Sequence, residues 1–215
     1  MSHEQLIIAL ASDATPIAPL PAPRVRMARW VMCALLFVGA GLIWRGLRTN
    51  WAAAFSDPTF VVSNVLLLGV ALLAAWTALV LAVPGALRSP VAKWLPLAGL
   101  GGWGAILIQQ IAAVASPGAA LMAEPVVTGC MWKTFGIAAG PAFLIILLAY
   151  RAAPLDWRWT GSLAALSALA FGAIGTEFMC PITGYAHLFN WHFLPVAVMT
   201  AVAFVVGAAL PRGRR

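Results

Sequence analysis

The chain has 215 residues, 63% of them hydrophobic and only 9% charged, with a mean hydropathy of +0.95. Soluble domains average about 25% charged residues, so a single water-soluble core is excluded and the chain reads as an integral membrane protein. The charged set holds 13 Lys+Arg against 6 Asp+Glu, a net charge of +7. In a chain this apolar, the excess is read as a positive-inside signal rather than a nucleic-acid footprint, and no direct nucleic-acid binding is expected.

Near the N-terminus, Leu6, Ile7 and Leu10 fall on one face of a possible two-turn helix over residues 3–11, followed by Asp13. Pro16, Pro19, Pro21 and Pro23 then mark a polyproline-type stretch that spaces this segment from the bilayer. Two turns are not stable alone in water. Two readings stay open: a disordered tail, or a segment that orders in a partner's apolar groove.

Six continuous apolar runs follow, at about 27–47, 59–83, 94–115, 128–150, 159–178 and 191–210. Each approaches the roughly 20 residues that a helix needs to cross a bilayer. They do not alternate as barrel strands would. Asp57-Pro58, Pro84-Gly85, Ser116-Pro117-Gly118 and Pro154 punctuate the short connections. The first run lacks a small-residue cleavage pattern and is read as a retained span. The fold class is therefore all-α, a six-helix transmembrane bundle. It divides into an N-terminal segment (1–26), the membrane domain (27–211) and a basic tail (212–215).

With six spans both termini share one side. That side would carry ten basic residues, including Arg24, Arg26, Arg88, Lys93, Arg151, Arg158, Arg212, Arg214 and Arg215; the other would carry only Arg45, Arg48 and Lys133. The bias predicts both termini inside. Trp30, Trp94, Trp157 and Trp159 are expected at the inner interface, and Trp44, Trp51, Trp132 and Trp191 at the outer one. No Asp, Glu, Lys or Arg falls near the middle of a span, which argues against an ion-coupled transporter. Asn64 and Gln109-Gln110 read as interhelical hydrogen-bonding groups, and Gly136-x-x-x-Gly140 as a weak close-packing signal.

The chemistry concentrates on the expected outer side. Cys130 opens the fourth helix and Cys180 follows the fifth; Lys133 lies one turn from Cys130, and Glu177, His187 and His192 lie close to Cys180 in sequence. Three readings stay open. The cysteines form a structural or redox-responsive pair. Alternatively, cysteine and histidine together bind a soft or borderline metal, although the spacing is no zinc motif and the metal is unknown. Or Cys130 is a small buried hydrophobe and the histidines are interfacial. Cys33 reads as packing. Neither a serine–histidine–acid set, nor a phosphate loop, nor paired carboxylates are present, and Glu124 and Glu177 have no evident partner. We expect no enzyme activity and no cofactor.

These features together resemble the NrsF family, negative regulators of sigma F. The likeness rests on residues 6–13 followed by Pro16 and Pro19, on Cys130-x-x-Lys133, and on the loop Arg151-Ala152-Ala153-Pro154-Leu155-Asp156. It rests further on Cys180-Pro181 followed by Trp191-His192, ahead of a last helix that ends in arginines. The resemblance implies a bacterial inner-membrane anti-sigma factor that holds an extracytoplasmic-function-type sigma factor inactive. It implies that Leu6, Ile7, Leu10, Asp13 and Pro16 make the partner contact in the cytoplasm, and that Cys130 and Cys180 sense metal or oxidative stress. Lys133, Glu177, His187 and His192 would support them. The competing expectations are a membrane thiol–disulfide oxidoreductase and a metal-responsive transport protein.

Overall fold

A computed structural model describes residues 2–13, 19–86, 89–113 and 128–210. Pro16, Arg88, Glu124 and the tail arginines Arg212, Arg214 and Arg215 lie outside the described residues. Within them the regular structure is helical, with no strand. In chain order it comprises α1 (His3–Ser12), α2 (Pro23–Arg45), α3 (Trp51–Ser56) and α4 (Pro58–Leu81). A 3₁₀ turn (Pro90–Lys93) leads into α5 (Leu95–Ala112). Next come α6 (Thr128–Tyr150), α7 (Trp157–Met179) and α8 (Tyr185–Leu188), and a π turn (Phe189–Phe193) joins α8 to α9 (Leu194–Ala209). Six helical segments of 23 to 25 residues are long and apolar enough to span a bilayer. At 1.5 Å per residue each is about 35 Å long, against about 30 Å of hydrocarbon.

The helix starts follow from local chemistry. Proline sits in the first turn of α2, α4, α5 and α9, where its missing N–H costs nothing and its φ is already helical. This is why the first span begins at Pro23 rather than near 27. Asp57 and Asp156 cap α4 and α7 by accepting the backbone N–H of Thr59 and Arg158. Gly46 ends α2 at φ +79°, a conformation that favours glycine. Sequence periodicity did not indicate α3. The last span also starts earlier than expected, at Tyr185.

The bundle is organised around α7, whose membrane window is 89% buried, against 17% for α2. Yet the membrane window of α7 is less hydrophobic than that of α2, with a mean hydropathy of 1.4 against 1.8. Lipid is as apolar as leucine, so helices associate through close packing of small residues, and α7 is rich in Ala, Gly and Ser. A Cβ on Gly172 would lie 2.5 Å from the Thr134 carbonyl of α6, and one on Gly207 would lie 2.5 Å from the Trp157 carbonyl of α7. Gly136 and Gly140 do not form such a contact with another backbone: Gly140 makes room for the Phe37 ring, and Gly136 faces open space.

One sequence expectation is corrected. Trp30 is not interfacial but fully buried; its indole N–H donates to the Pro141 carbonyl at 3.2 Å and its ring meets Phe171 edge-on. Pro141 cannot donate to the carbonyl of Ile137, and its own carbonyl gains this partner from α2. Arg26, counted above among the basic residues of the side that carries the termini, is buried. At the same end of the bundle, Lys93 lies 4.7 Å over the Trp159 ring and Arg158 grips Asp156 through two side-chain hydrogen bonds.

Candidate functional site: a buried cluster of two cysteines and two histidines

Four side chains meet at the end of the bundle where α6 begins and α7 ends. Cys130 lies in the first turn of α6. Cys180 is the residue after α7 and precedes Pro181. A residue before proline is pushed out of the helical region, and Cys180 is extended at φ −91°, ψ 117°. This turns its sulfur to 3.3 Å from the Cys130 sulfur.

The histidines arrive by a different device. His187 and His192 are five residues apart, and on a regular α-helix such residues diverge by about 140°. The π turn at Phe189–Phe193 widens the coil, as single π turns do at functional sites. The His192 ring is thereby carried back to 5.5 Å from the His187 ring. His187 Nε2 stands 3.5 Å from the Cys180 sulfur. The ligating atoms of Cys130, Cys180, His187 and His192 all lie within 4.8 Å of one another, and all four residues are buried. Both ring nitrogens of His192 are buried within the cluster.

The electrostatics favour a thiolate at Cys180. The hydrogen bond from Cys130 holds its pKa below the ordinary thiol value, and His187 and His192 act in the same direction against the opposing effect of burial.

A second set of bonds fixes this segment from outside. The loop after α2 presents Arg48, which is buried. Its backbone N–H donates to the Phe178 carbonyl at 2.9 Å and its Nη1 to the Glu177 carbonyl at 3.3 Å. Arg48 Nε donates to Asn50 at 2.8 Å, and Asn50 Nδ2 donates to the Pro181 carbonyl at 3.3 Å. Both sides of Cys180 are thus bonded to the loop that closes α2. Beneath the cysteines, Thr134 donates to Thr176 at 3.0 Å, tying α6 to α7.

Glu177 is brought near but serves elsewhere. Its buried carboxylate accepts a 2.7 Å hydrogen bond from Asn64 of α4, so Asn64 is an interhelical hydrogen-bonding group and Glu177 has a partner that its sequence neighbourhood did not reveal. Lys133 lies outside the four-residue cluster and lines an adjoining cavity. Cys33 is half-buried and apart from the other two cysteines.

The N-terminal residues have the opposite character. Ser2 caps α1 and forms a reciprocal capping box with Gln5. Asp13 closes the helix, and no residue of α1 is buried. Leu6, Ile7 and Leu10 are all exposed.

Fold and site together define a class: an all-helical, multi-pass membrane protein with a buried cluster of two cysteines and two histidines at one end. The particular family follows from comparison with known families. The family model described as "Negative regulator of sigma F" (NrsF) matches residues 10–212, nearly the whole chain, and the chain belongs to that family of anti-sigma factors. No curated protein and no solved structure matched it.

Proposed function

We propose that the protein is an inner-membrane anti-sigma factor with both termini in the cytoplasm. It holds an extracytoplasmic-function-type sigma factor through α1 and releases it when the cysteine–histidine cluster, on the periplasmic side, captures a soft or borderline metal ion. The observation that carries this reading is the donor set. Two buried imidazoles complete two thiols, with all four donors in mutual reach. Tetrahedral zinc takes two sulfurs at about 2.3 Å and two nitrogens at about 2.0–2.1 Å, which sets sulfur–sulfur separations near 3.8 Å. The observed 3.3 Å needs only a small expansion. Thiolate and imidazole donors suit zinc and monovalent copper, whereas magnesium and calcium prefer oxygen. In this reading the protein binds and releases, and catalyses nothing.

At the other end of the membrane, Leu6, Ile7 and Leu10 supply apolar anchors and Asp13 an acidic group for a sigma factor's basic surface. Residues 14–18, including Pro16, link α1 to α2. The route between the two ends is α2 itself. It follows the arm at Pro23, and beyond Arg45 its closing loop is bonded on both sides of Cys180. Metal capture that moves Cys180 therefore pulls on the element that carries the arm.

A second reading has its own observation. The two sulfurs need to close by about 1.3 Å to reach the disulfide length of about 2.05 Å. An oxidant that removes two electrons and two protons from the thiols would make the same pair a redox switch. The discriminating experiment is metal titration of purified protein. His192→Ala is expected to weaken zinc binding by about 10- to 100-fold and to leave disulfide formation in place. A signal response unchanged in His192→Ala would favour the redox reading.

A further inference from the structure

Beside the cysteine cluster, α2 and α6 part to leave a cavity of about 620 Å³. Its walls are apolar: Phe37, Ala40 and Trp44 from α2, Trp132 and Ile137 from α6, and Met179 from the end of α7. Gly129 and Gly136 also line it, and a Cβ at either would meet nothing within 4 Å. These glycines serve no close helix contact; they leave space. Among the described residues, Arg45 and Lys133 are the charged ones in the lining.

Charge at this end of the bundle makes the placement informative. Three basic residues lie there, and Arg48 is used in the clamp on Cys180. The remaining two both line this cavity. Neither forms an ion pair with a carboxylate among the described residues. The described acids at this end are engaged elsewhere, Asp57 by Thr59 and Tyr185, and Glu177 by Asn64. Arg45 stands 5.1 Å over the Trp44 ring, and Trp44 and Trp132 are 81% and 64% exposed. Exposed tryptophans of this kind sit at headgroup level. The result is an apolar slot that opens at headgroup depth beneath two cations that pair with no carboxylate among the described residues.

We propose that this cavity binds one anionic phospholipid from the leaflet at the cysteine end. Its phosphate is held by Arg45 and Lys133, and an acyl chain lies in the slot over Gly136. The volume falls in the range of about 300–1,000 Å³ typical of ligand pockets. Two cations side by side at the mouth select a headgroup of net negative charge over a zwitterionic one. The lipid is a structural neighbour of the cluster, since Met179 precedes Cys180 and Lys133 follows Cys130 by one turn. The inference stands independently of the anti-sigma reading.

The test uses full-length protein in nanodiscs of phosphatidylcholine with one-fifth phosphatidylglycerol, followed by detergent extraction and native mass spectrometry. Wild type is expected to retain one phosphatidylglycerol per chain. The double variant Arg45→Ala, Lys133→Ala is expected to retain it about 30-fold more weakly, each basic group contributing about fivefold. Arg45→Lys with Lys133→Arg, which keeps both charges, restores retention and guards against a folding defect. Gly136→Leu, whose Cβ would meet nothing within 4 Å, places an apolar side chain in the slot and lowers retention with both charges in place. Equal retention of phosphatidylcholine, undiminished retention in the double variant, or a second protein copy in place of lipid would each overturn the proposal.

Discussion

The cysteine end and the N-terminal arm are built on opposite principles. Around Cys180 every component is held: a proline forces the turn, a π turn brings two histidine rings together edge-on, and Arg48 and Asn50 bond the carbonyls on either side. In α1 nothing is held except by its own cap, and its apolar residues face outward. A preorganised site binds a small ligand without an ordering cost. An arm that gains its contacts only on a partner loses part of its affinity to ordering, about 2–5 kcal/mol, and so is easily released. The asymmetry suits a device that reads at one end and lets go at the other.

The strongest way to break this comparison is to attack the arm. Leu6→Ala with Leu10→Ala is expected to weaken sigma-factor capture by full-length protein by on the order of 100- to 1,000-fold, because two anchors are lost. Zinc affinity should be unchanged. Surface plasmon resonance and a chelator competition on the same preparation read both. A parallel loss of zinc binding would mean that the two regions are not separate.

Next in size is Cys180→Ser. Losing one of two thiolate donors is expected to reduce zinc affinity at least 100-fold by chelator competition and to fix a reporter in the repressed state. Sigma capture without added metal should match wild type. Normal induction in the Cys180→Ser strain would remove the switch and leave the anti-sigma function standing.

Arg48→Ala sharpens the comparison by loosening the held end without touching a donor. It frees the side-chain bonds to Glu177 and Asn50, at an expected cost of about 1–3 kcal/mol of stability. Coupling between metal and sigma factor should fall while the cluster still binds zinc. The smallest effect belongs to Asn64→Leu, which removes the amide donor to the Glu177 carboxylate. Thermal unfolding in detergent should drop by a few degrees. Restoration by the second change Glu177→Leu would assign that loss to the buried carboxylate rather than to packing.

The spans were legible because lipid imposes length and apolarity on each segment separately, and the run expected at about 128–150 coincides with the described helix Thr128–Tyr150. The meeting of Cys130 with Cys180 was legible from span parity, which places the start of one helix and the end of the next at the same end. The histidines were named from their closeness to Cys180 in sequence, but their convergence on it was not legible, because a spacing of five matches no α-helical face and a π turn aligns them. Arg48 and Arg26 read as topology signals since sequence does not show burial. Trp30 likewise carries the residue type of an interface and the position of a core. Glu177 and Asn64 lie more than a hundred residues apart, beyond any local pattern.

The central claim is that occupancy of the cluster controls release of the sigma factor. The direct measurement is sigma-factor dissociation from full-length protein in nanodiscs, with zinc or monovalent copper added on the cluster side and metal occupancy measured in parallel. The account predicts release that tracks occupancy in wild type, and none in Cys130→Ser with Cys180→Ser at the same metal concentration. Full occupancy with the sigma factor still bound, or equal release from both proteins, would contradict it.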